Sequence, residues 1–155
     1  MSAFLVALST WLHVMATVVF VGYYLFTGLI YLPVFERCMQ PNALRDILEQ
    51  VSARLRPYFG GSLLIFLVTG TYLLVINKNY VGLGQFFNNP WSILMVIKHA
   101  LILAFLALAV FSERAFLTQI SDKKPQALKN FRFAVNINTI LGVIIVLLTS
   151  IVQVG

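Results

Sequence analysis

A chain of 155 residues in which 60% are hydrophobic and only 10% are charged cannot give a soluble domain its polar surface. It reads as an integral membrane protein. The formal charge of +6 would suggest nucleic acid in a soluble protein, but here it fits basic residues placed in membrane loops, and the single Cys38 excludes an internal disulfide.

A bilayer core about 30 Å thick asks for roughly 20 apolar helical residues. Four stretches answer it, about 3–35, 58–76, 91–111 and 133–154, so the expected fold is all-α, a four-helix membrane bundle forming one domain over residues 1–155. The first stretch lacks a basic leader and is too long for a signal-peptide core, so it is expected to be retained. It also exceeds one bilayer thickness and should tilt or protrude, with Pro33 ending or kinking its helix. Next, about 42–55 places Leu44, Ile47, Leu48, Val51 and Leu55 at helical spacing among charges, a short amphipathic helix on the membrane surface or an extension of the second span. In the second span Gly60, Gly61, Gly70, Ser62 and Thr69 read as close-packing residues. The loop NKNYVGLGQFFNNP follows, with Phe86 and Phe87 suited to the membrane interface. The third span opens at Trp91 behind Pro90, and the fourth follows the polar, basic segment that ends near Arg132.

Basic residues set the orientation. Arg37, Arg45, Arg54 and Arg56 lie in the first loop, and Arg114, Lys123, Lys124, Lys129 and Arg132 in the third, against Lys78 alone in the second. The positive-inside rule then puts the first and third loops in the cytoplasm and both termini on the outer side.

One face of the first span carries the chemistry. Thr10, His13, Thr17, Phe20, Tyr24, Thr27 and Tyr31 share a stripe at spacings of three and four, and an intramembrane ionisable residue faces protein rather than lipid. His99 lies in the third span, which also starts on the outer side. Each histidine is some eight to ten residues from its outer helix end, about 12 to 15 Å deep. Equal depth on two helices would let both imidazoles ligate one iron, so a b-type haem held by His13 and His99 is the leading expectation. Phe20 and Tyr24 would wall the macrocycle, with Thr10 or Thr17 beside the ligand. Lys98, about 100° round the helix from His99, would snorkel, meet a haem propionate or bind a substrate carboxylate. Copper is the competing metal: Met95 shares the face of His99, and thioether sulfur selects Cu(I). Cys38 and Met39 fall together at the inner end as a copper exit or a plain loop thiol.

Four segments carry a family resemblance. WLHVMATVVFVG, SARLRPYFGGSLLIFLVTGTYLL, NNPWSILMVIKHALILAFLALAVFSER and FRFAVNINTILGVIIVLLTS resemble, in order, the four spans of the copper-resistance protein D (CopD) domain family. His13 with Gly22, the stretch from Arg54 to Thr69 and Gly70, and Lys98 are its most specific pieces. The resemblance implies copper uptake in bacteria, and with it a bacterial inner membrane whose outer, periplasmic side carries both termini. The family is also similar to four-helix membrane protoporphyrinogen oxidases, which implies a haem-holding His13 and a substrate-binding Lys98; His99 departs from that pattern. The expected function is therefore electron transfer by a membrane haem protein, as a small subunit of a larger membrane complex or a homo-oligomer surrounded by lipid. Copper uptake, a protoporphyrinogen-oxidase-like activity and a haem-free accessory subunit are the alternatives.

Overall fold

The computed structural model describes residues 2–77, 90–121 and 123–154, with the side chains of 152–154 left aside. The second loop, with Lys78, Phe86 and Phe87, lies outside the described residues. Helix α1 (Ala3–Phe26) runs through a π-helical turn, Thr27–Tyr31, into α2 (Leu32–Cys38). Then come α3 (Pro41–Ile76), α4 (Pro90–Ala115), a 3-10 turn (Leu117–Gln119) and α5 (Pro125–Val154). Four of these helical runs are long and apolar enough to cross a membrane, and the described residues contain no strand. The chain is a multi-pass, all-α membrane protein.

Side chains pointing outward explain the composition. Val14, Val18, Leu64, Leu103 and Leu147 are all exposed, as a lipid-facing surface requires. Helix α1 packs along α3 on one side and α5 on the other, and α4 lies along α5. The core thickens at the end where the first and third loops lie. There Leu32, Leu44, Leu48, Leu117, Ile120, Phe131 and Val135 close on one another.

The amphipathic segment about 42–55 is no separate surface helix. It continues through Pro57 as one helix, α3. Proline removes the bond that the Ala53 carbonyl would accept, but both residues are exposed at the polar end, where water can take that role.

Near Pro33 the helix is widened rather than broken. The Leu32 N–H donates to the Thr27 carbonyl, a five-residue turn, and Pro33 follows in the first turn of α2, where its missing N–H costs little. The inserted residue also rotates the stripe. Tyr24 and Thr27 are buried, but Tyr31 is turned out to 42% exposure and Leu32 takes the interior position at 0%.

Close approach of α1 to α5 occurs at this same turn. A Cβ added to Gly28 would lie 2.8 Å from Thr139 Oγ1 and 3.3 Å from Val135 Cγ1. Thr139 is held, donating to the Tyr24 carbonyl at 2.9 Å and the Val135 carbonyl at 3.0 Å. Gly28→Ala is therefore expected to lower stability by about 1–3 kcal/mol, read as an earlier thermal transition in detergent. An unchanged transition would mean that this helix contact yields freely.

Four helices change character at one level. Arg56 on α3 donates to Glu113 on α4 at 2.6 Å, and Arg132 on α5 to Glu36 on α2 at 2.9 Å. These ion pairs mark the membrane surface at the end that carries the first and third loops.

Candidate functional site

His13 is pinned to α3. Its ring stacks on Phe66 with centroids 4.2 Å apart and planes 23° apart, and its Nδ1 lies 3.1 Å from Thr69 Oγ1. Gly70 makes room, because a Cβ there would stand 3.0 Å from His13 Cε1. The hydrogen bonds decide the tautomer. A threonine hydroxyl has one proton, and that of Thr69 goes to the Ile65 carbonyl at 2.6 Å. Thr69 Oγ1 therefore accepts from His13 Nδ1–H, which leaves the lone pair on Nε2. This is how proteins orient an imidazole that ligates metal.

His99 reaches the same tautomer by another route. Its Nδ1 is 2.6 Å from the Met95 carbonyl, which can only accept, so Nδ1 carries the proton and Nε2 the lone pair. Its side chain, however, is exposed, whereas Met95 is buried at 7% exposure. Met95 and His99 thus diverge despite their four-residue spacing.

The two imidazoles do not form an axial pair. Helices α1 and α4 meet at Tyr24 and Phe105, whose rings are 5.1 Å apart. His13 precedes Tyr24 by eleven residues and His99 precedes Phe105 by six, so their depths differ by about 7 Å. With His99 exposed and His13 held against Phe66, the side chains as they stand do not present a paired axial site for haem. Counting from soft span ends hid this offset.

Other members of the stripe have local duties. Thr10 donates to the Val6 carbonyl and Thr17 to the His13 carbonyl, both at 2.9 Å, so each spends its one proton on its own helix. Phe20 stacks on Phe59 with centroids 5.6 Å apart, and Tyr24 packs on Phe105. Both line a cavity of about 180 Å³ between α1, α3, α4 and α5, with Tyr23, Ser52, Arg56 and Glu113 at its polar end. They wall this inner space rather than a macrocycle beside His13. Lys98 is half-buried and, with His99, lies within Coulombic range of the His13 ring, Lys98 having the stronger influence.

Thr69 and Gly70 are site residues that sequence reasoning took as packing, and Phe66 is one it did not single out. The Thr-Gly pair on the helix next in the chain was the available signal. Gly60 and Gly61, read as close-packing residues, have nothing within 4 Å of an added Cβ. Cys38 is exposed at the end of α2, and no cluster of three or more His, Cys, Asp or Glu side chains suited to a metal occurs among the described residues.

Neither a curated protein nor a solved structure matches this chain, so the resemblance to protoporphyrinogen oxidases has no support from them. A family model does match, over residues 49–152, from the middle of α3 to nearly the end of α5. Helix α1 and His13 stand outside the matched stretch. Because the match takes in most of the chain, the protein belongs to the copper resistance protein D family.

Proposed function

We propose that the chain carries copper as cargo through the membrane, with His13 Nε2 as the nitrogen donor that receives it at the end of the bundle where α1 and α4 begin. Family membership supplies the metal; the fixed tautomer of His13 supplies the ligand. Imidazole nitrogen suits copper. The sparseness of the site favours passage over storage. A transported ion must bind well enough to enter and weakly enough to leave, and one oriented imidazole within Coulombic range of Lys98 meets that requirement better than a closed cage would. Below it, the cavity that ends at Ser52 and Glu113 offers oxygen ligands toward the other surface. The concentration of basic residues in the first and third loops supports a cytoplasmic location for that surface, in a bacterial inner membrane.

Copper uptake into vesicles tests the reading. Vesicles containing the purified chain should take up copper faster than empty ones. Thr69→Val, which removes the acceptor that orients His13 without touching Nε2, should slow uptake about tenfold, the ordinary cost of losing a metal ligand's orienting partner. Uptake no faster than that of empty vesicles would overturn the proposal.

A further inference from the structure

A groove of about 760 Å³ opens between α1 and α3, sharing Tyr23 and Phe59 with the lining of the inner cavity. Its walls are apolar, with Val18 and Phe26 from α1 and Val51, Leu55 and Phe59 from α3. Its floor is Gly22, where an added Cβ would meet nothing within 4 Å. The missing side chain leaves a slot along the helix seam, parallel to the direction in which acyl chains run.

Arg54 and Gln50 line the same groove at the level where the bundle turns polar. Arg45, Arg56 and Arg132 are each tied to a carboxylate, whereas Arg54 is exposed and has no ion-pair partner among the described residues. A free guanidinium at the membrane surface beside an apolar slot is the complement of an amphiphile with an anionic head. A second copy of the chain would cover Arg54 poorly. Among the described residues its acids, Glu36, Asp46, Glu49 and Glu113, already face arginines.

We propose that this groove holds one anionic glycerophospholipid, its phosphate on the Arg54 guanidinium and one acyl chain laid over Gly22 between Val18 and Phe59. The lipid is a bound component of the fold, and the site stands independently of copper transport.

The test uses the full chain reconstituted in vesicles of equal phosphatidylglycerol and phosphatidylcholine, extracted in mild detergent and weighed intact by native mass spectrometry. The wild-type chain should keep one phosphatidylglycerol. Arg54→Gln should lower the preference for phosphatidylglycerol about fivefold, the worth of one arginine near a membrane surface. Gly22→Leu should fill the slot and lose both lipids. Gly61→Leu adds the same side chain at a glycine that is equally open but outside the groove, and should behave as wild type. Equal retention of the two headgroups by the wild-type chain would overturn the proposal. So would a Gly22→Leu chain that keeps its lipid, or one in which a dimer dissociates while lipid content stays unchanged.

Discussion

Copper uptake by the His13→Ala chain is expected to fall to the level of protein-free vesicles while the bundle stays folded. Removing the imidazole leaves no orphaned partner, because the Thr69 hydroxyl still donates to the Ile65 carbonyl at 2.6 Å. What is lost besides the nitrogen donor is contact with α3, the hydrogen bond to Thr69 and a ring stack on Phe66, the stack worth about 1 kcal/mol. His13→Phe separates these two losses. It restores an aromatic ring against Phe66 and supplies no lone pair, so stability should return and transport should not. A His13→Phe chain that carries copper at the wild-type rate would show the ring to be a packing element. His99→Ala should change uptake little, since its side chain is exposed on α4 rather than stacked against α3 as the His13 ring is.

The spans were legible because bilayer thickness and hydropathy decide them with little help from tertiary structure. The inward face of α1 was legible for the same reason, down to Tyr24. Beyond it the π turn adds a residue, a phase slip that carries no composition signal, and Tyr31 rotates outward. The partner of His13 was not legible. A helical stripe tells which side faces protein but not which neighbour stands there, and equal counts from the span ends drew attention to α4. Chain connectivity pointed elsewhere, since the short link between α2 and α3 makes α3 the antiparallel neighbour of α1, with Phe66, Thr69 and Gly70 opposite His13. Side-chain burial could not be read from spacing either: Met95 and His99 are four residues apart, yet one is buried and the other exposed.

Asn138→Asp is expected to cost about 3 kcal/mol or more, the scale of placing a carboxylate at the centre of a membrane helix. Asn138 is 0% exposed on α5. With its amide turned so that Nδ2 donates to the Phe105 carbonyl and Oδ1 accepts from the Ala109 N–H, each at 3.3 Å, it ties α5 to α4. The Tyr24 hydroxyl lies within reach of the same side chain, which brings in α1. A carboxylate would set a second oxygen against the Phe105 carbonyl, with no cation beside it to offset the charge. Asn138→Leu isolates the charge from the lost hydrogen bonds. The Phe105 carbonyl and Ala109 N–H remain paired within their own helix, and only the buried Tyr24 hydroxyl loses a partner, at about 1–3 kcal/mol. Adding Tyr24→Phe should then recover most of that loss, because removing both members of a buried polar pair leaves nothing unsatisfied. Thermal transitions of the four chains in one detergent decide the matter. If Asn138→Leu melts as low as Asn138→Asp, and Tyr24→Phe brings no recovery, the amide holds the three helices by shape rather than by hydrogen bonding.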